Sequence, residues 1–133
     1  MDNSKKDKNY SEKIIKDLTI IFNNTKDLKK DDLKIDSLLC DSILFRIIQI
    51  SESSEKLSEN FKSKFPNIPW RAIKGLRNKI VHEYGNINVE IIYKTIKDDI
   101  PMLLKTMIAS LNFWLIIFVF VTIEFQLLFL VVL

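Results

Sequence analysis

Glycine and proline are scarce in this chain, with two and three copies in 133 residues. So little turn punctuation excludes a many-stranded β fold, which needs frequent turns. Cysteine occurs once, as Cys40, so no intramolecular disulfide can form. Histidine also occurs once, and one Cys with one His cannot build a conventional zinc site within a chain. No glycine-rich phosphate loop is present, and the sequence calls for no cofactor. The polar, lysine-rich start is followed by no apolar signal core, which points to a cytoplasmic rather than a secreted protein.

What is present favours one helical domain. Apolar residues make up 47% of the chain, too many for disorder, and the length allows one domain with a real core. Long stretches of Lys, Glu, Asp, Leu and Ile favour helix. Cys40, in the apolar run "SLLC", reads as a small core residue. The net charge is +3, yet beyond Lys105 the only charged residue is Glu124. Residues 1–105 therefore carry 20 basic and 16 acidic side chains, a mildly basic balance that permits nucleic-acid contact without demonstrating it.

Periodicity places the helices. Residues 1–10 read as a flexible, solvated start. Ser11 to Asn24 follows as a helix with Ile14, Leu18 and Ile21 on one face. A long helix is expected from Asp31 to Phe61, with Leu39, Ile43, Ile47, Ile50 and Leu57 along its inner stripe and a polar stretch from Ser51 to Glu59. Two prolines make "KFPNIPW" a loop. A third helix is expected from Pro69 to Tyr84, ended by Gly85 in a left-handed conformation. Asn88 can cap a fourth helix that runs to Leu111 and is kinked or split by Pro101. The expected fold is all-α, an up-and-down bundle of four to five helices over residues 11–111.

Residues 112–133, "NFWLIIFVFVTIEFQLLFLVVL", are apolar on every side. Thr106 to Ile123 carries no charge for eighteen residues, near the lower limit of a membrane span. Glu124 then interrupts, at a cost of ~2–3 kcal/mol if centred in a bilayer. A membrane anchor, a buried or interface segment, and an aberrant end produced by a frameshift all remain open.

The chemistry gathers in "RNKIVHEY", residues 77–84. On a helix Asn78 and His82 are four apart and can touch, whereas Arg77 and Tyr84, seven apart, share a face. Arg77 and His82 diverge by about 140°, so they meet only if the helix end unwinds or a second copy packs across it. Cleaving RNA requires deprotonating a 2′-hydroxyl, stabilising a phosphorane and protonating a leaving oxygen. A histidine that exchanges protons near neutral pH and an arginine that forks onto phosphate suit that task without a metal, with Asn78 orienting the imidazole. The plainer reading is a helix C-terminus that favours cations through its dipole, with Tyr84 as packing.

Those eight residues resemble the R-x(4)-H-x-Y motif of the HepT-like toxins in the HEPN ribonuclease superfamily. "DSLLCDSILFRIIQISESSEKLSE", "FPNIPWRAIKGLRNKIVHEYGNIN" and "VEIIYKTIKDDIPMLLK" extend the likeness over residues 11–111. The resemblance implies a HEPN-like helical bundle, a homodimer with two motifs flanking a groove, and a metal-independent endoribonuclease of a toxin–antitoxin pair. It implies that Arg77 and His82 are the catalytic pair and that Asn78 is the polar residue following the arginine. It also implies that Tyr84 accepts AMP from a MntA-type nucleotidyltransferase antitoxin. Glu52 and Gln49, on the long helix, could support the site from behind, and Trp70 and Trp114 could stack on bases. The alternative is a non-catalytic helical module that docks a nucleotidyltransferase, tethered to a membrane by its tail.

Overall fold

The computed structural model describes residues 3–132, apart from the side chains at 113–118. Among the described residues there is no strand. Six α-helices follow one another: α1 Asn3–Thr25, α2 Leu38–Lys56, α3 Glu59–Lys64, α4 Trp70–Glu83, α5 Val89–Lys94 and α6 Ile100–Val132.

Helix α1 starts eight residues before the expected Ser11, so residues 3–10 are helical rather than a flexible start. Asp7 shows why. Its carboxylate accepts hydrogen bonds from the Ser58 backbone N–H at 2.8 Å and the Ser58 hydroxyl at 2.6 Å, and it is only 8% exposed. A contact across fifty-one positions of sequence leaves no local signature.

The expected helix from Asp31 to Phe61 is divided. A 3-10 turn covers Lys30–Asp32, and Asp36 then takes a left-handed backbone with φ 66°. Ser37 caps α2 by accepting from the Cys40 N–H at 3.1 Å. Leu57 leaves the helix in an extended conformation, and Ser58 caps α3 through the Phe61 N–H at 3.1 Å. Both breaks fall at serines, whose short hydroxyl satisfies a helix N-terminus better than it serves a helix interior.

Trp70 closes the proline loop. Its indole N–H lies 3.3 Å from the Lys62 carbonyl and 3.2 Å from that of Phe65, satisfying acceptors at the end of α3. Its role is packing and capping. Gly85 ends α4 with φ +91°, and the Asn88 side chain accepts from the Glu90 N–H at 2.9 Å to start α5. Pro101 is accommodated without a break. Residues Thr95–Asp99 form a wide π turn in which the Ile100 N–H reaches back to the Thr95 carbonyl. A proline ring in a regular helix would collide with the carbonyl four residues earlier, and the extra residue in the turn relieves that.

Polar pairs fix the directions. Lys13 with Gln49 (3.1 Å) and Asp17 with Arg46 (2.8 Å) run oppositely along α1 and α2, and Asp7 meets Ser58 just past the end of α2, so the two helices are antiparallel. Glu55 with Lys74 (3.5 Å) and Glu52 with Arg77 (3.0 Å) make α2 and α4 antiparallel. Helix α6 packs on α1. Ile14, Leu18, Ile21, Ile43, Ile47, Ile50, Ile80 and Ile96 fill the centre, and Cys40 lies among them as expected. Met107 is the last described core residue.

Helix α6 continues without interruption past Leu111. The described side chains from Val119 to Val132 are all exposed. Among the described residues no helix is long and apolar enough to cross a membrane.

Candidate functional site

Helix α4 buries one side chain, Ile80. Everything else on it is at least partly open to solvent, including each residue of the motif. Arg77 is partly buried; Asn78, His82 and Tyr84 are exposed. Helix α4 is regular through Glu83, so its end does not unwind to turn His82 toward Arg77.

Arg77 is the most constrained member. Its Nε donates to Glu52 Oε1 at 3.1 Å, and Nη2 lies 3.0 Å from the same oxygen. Nη1 donates to the Asn78 side-chain oxygen at 3.2 Å. The guanidinium plane is thus set by α2 on one side and by its own neighbour on the other. Asn78 orients the arginine and makes no hydrogen bond to His82 among the described residues. The imidazole of His82 faces solvent.

Tyr84 is where α4 gives out. Its ψ of 125° is no longer helical, and Gly85 follows with positive φ. The phenol is 57% exposed and donates a hydrogen bond to Asp41 Oδ1 at 3.3 Å. The negative charge of Asp41 is the main cause that pushes the phenol above its usual pKa. Asp41 was not singled out from the sequence. It lies one turn into α2, and only the antiparallel pairing of α2 with α4 carries it to Tyr84.

Of the two supporting residues expected on the long helix, Glu52 joins the site and Gln49 does not. Gln49 sits about 60° around α2 from Glu52 and accepts from Lys13 on α1. Trp70 is used in closing the proline loop, and the Trp114 side chain lies outside those described. A row therefore runs along the α2–α4 seam: Glu55–Lys74, Glu52–Arg77, then Asp41–Tyr84. Helical spacing puts Phe45 one turn from Asp41 on α2 and Val81 one turn from Arg77 on α4; both are exposed apolar side chains, as is Leu38 at the start of α2.

The chain is similar to known proteins over most of its length. Residues 11–109 match the family described as ribonuclease HepT-like. A probable ribonuclease HepT of Thermococcus cleftensis is 31% identical over 96 residues, covering 72% of this chain and 87% of the relative. A protein of Caldanaerobacter subterraneus subsp. tengcongensis, provisionally named an RNase, is also 31% identical over 96 residues, covering 72% and 86%. One of Methanocaldococcus jannaschii with the same provisional name is 29% identical over 92 residues, covering 69% and 84%. No solved structure matches. With three-quarters of its length matched to one family, and its Arg77-to-Tyr84 motif on the open face of α4, the chain belongs to the ribonuclease HepT-like family.

Proposed function

We propose that this chain is a metal-independent endoribonuclease, the toxin of a cytoplasmic toxin–antitoxin pair, and that a MntA-type nucleotidyltransferase antitoxin silences it by transferring AMP to Tyr84. The carrying observation is the state of Arg77: a solvent-reachable guanidinium fixed by Glu52 and Asn78, on the same helix as an open imidazole. An oriented fork of N–H donors beside a proton-transfer group is what phosphodiester cleavage needs. His82 takes the 2′-hydroxyl proton, and Arg77 meets the charge that builds on the phosphorane. The ribonuclease unit is residues 11–111, and the tail lies outside it.

A homodimer completes the reading. On a regular α4, Arg77 and His82 point about 140° apart, and a second copy across the seam brings one protomer's arginine toward the other's histidine. Leu38, Phe45 and Val81 support this, at 90%, 60% and 44% exposure beside the site. A face of that kind is covered in a stable assembly. AMP on Tyr84 would add phosphate charge and bulk at the edge of the groove where RNA must enter.

The test is cleavage of a mixed RNA by purified protein with EDTA present. Wild type cleaves, and Arg77→Ala and His82→Ala lose activity by at least a hundredfold. Unchanged cleavage by His82→Ala removes the catalytic assignment.

A further inference from the structure

Asp41 is not needed to cap its helix or to complete an ion pair among the described residues. It is an acidic residue in the first turn of α2, where a carboxylate suits the helix dipole. The cap itself, however, is made by Ser37, which accepts from the Cys40 N–H. The Asp41 side chain is exposed, belongs to no ion pair among the described residues, and has the Tyr84 hydroxyl as its described hydrogen-bond partner. Elsewhere on the seam the acidic residues of α2 face cations, Lys74 and Arg77. Here the acid faces a neutral phenol. That phenol sits on a non-helical residue, more than half exposed, followed by a glycine whose surroundings hold no atom within 4 Å of an added Cβ. With the residue 57% exposed, the Tyr84 side chain is open to an incoming enzyme.

We propose that Asp41 is the general base for modification of Tyr84, taking the phenolic proton as the tyrosine oxygen attacks a nucleoside triphosphate presented by a nucleotidyltransferase. This rests on the reading of Tyr84 as an AMP acceptor and adds the group that makes the acceptor reactive. In the step, the Tyr84 oxygen forms a bond to the α-phosphorus of ATP. The bond from that phosphorus to the bridging oxygen of the β-phosphate breaks, and pyrophosphate leaves with the electron pair. The proton passes from the phenol to Asp41 Oδ1, 3.3 Å away. The triphosphate and its divalent cation are brought by the partner.

A base is needed because the phenol does not ionise in advance. Asp41's charge, with smaller contributions that include Cys40 and Asp36, opposes free phenolate. The same carboxylate becomes favourable once proton transfer and O–P bond formation proceed together. A general base positioned this way contributes ~10²–10⁴ in rate.

The experiment follows AMP incorporation by intact mass, using the full chain with its cognate nucleotidyltransferase, ATP and Mg²⁺ across a range of pH. Wild type, Asp41→Asn, Asp41→Glu and Tyr84→Phe are compared, each shown folded by circular dichroism. Asp41→Asn is expected to react about a hundredfold more slowly near neutral pH. Its rate should climb about tenfold per pH unit, because the phenolate must now form unaided. Asp41→Glu should recover much of the loss. Asp41→Asn reacting at the wild-type rate overturns the proposal while leaving Tyr84 as acceptor. Slow reaction with the wild-type pH profile also overturns it, and makes Asp41 a docking contact. If wild type is not modified, or Tyr84→Phe is modified equally, the acceptor reading fails and takes this step with it.

Discussion

Removing Glu52 separates the stability of the seam from its chemistry. Glu52 Oε1 receives both Nε and Nη2 of Arg77, at 3.1 and 3.0 Å, yet the two side chains are 47% and 36% exposed. An ion pair this open to water is screened, and ordering two long side chains offsets part of its attraction, so its contribution to stability is ~0.2–1 kcal/mol. For a domain of this size that corresponds to a melting shift of about 1–5 °C. The catalytic effect should be larger. Without Glu52 the guanidinium keeps its charge and its contact to Asn78 but loses the wall that fixes its plane, and misplacing such a group by about 1 Å costs on the order of a hundredfold. Glu52→Ala is therefore expected to lower kcat/KM for RNA by about ten- to a hundredfold while the melting point falls by no more than about 5 °C. Glu52→Gln, which keeps an acceptor oxygen, should fall between. In an Arg77→Lys background the same alanine should add little, because lysine has no fork to orient. Parallel cleavage assays and thermal melts read both quantities. Full activity in Glu52→Ala would refute the orientation argument, and a loss of several kcal/mol in stability would show that Glu52 holds the fold.

Two further outcomes follow from backbone and burial. Gly85→Ala puts a Cβ where nothing crowds it but at φ +91°, so it should destabilise by about 1–2 kcal/mol in urea titration through backbone strain alone; Gly85→Asn should cost less, since asparagine tolerates this region. Burial pushes the Cys40 thiol above its usual pKa, and Asp41 and Asp36 push it further. The folded chain thus holds less thiolate than an unfolded one, so this contribution to stability is intact below the usual thiol range and fades as pH rises through the raised value. Alkylation near pH 8 should be far slower in the folded protein than in urea, and equal rates would contradict the burial.

Much of this was legible in the sequence because it is periodic. The buried stripe of Ile14, Leu18 and Ile21, the inner face Ile43, Ile47 and Ile50, the Gly85 terminator and the Asn88 cap are all local patterns of residue type and spacing. The motif was legible as chemistry for the same reason. What was not legible depends on pairing between helices. Asp7 is held by Ser58, Gln49 turns to Lys13, and Asp41 meets Tyr84, contacts separated by 51, 36 and 43 positions. Nothing local distinguishes Glu52, which joins the site, from Gln49, which does not; the difference is about 60° of rotation around α2. The two breaks in the expected long helix carried a signal in Ser37 and Ser58, but apolar periodicity across them concealed it.

The seam has a mechanical consequence. One rigid helix, α2, touches both ends of the motif: Glu52 grips Arg77 and Asp41 grips Tyr84. These two grips are eleven residues apart, about 16 Å along the axis. Between them α2 is tied to α1 by the Arg46–Asp17 bridge and the buried isoleucines. A shift of α2 against α4 would therefore be felt at Arg77 and at Tyr84 together.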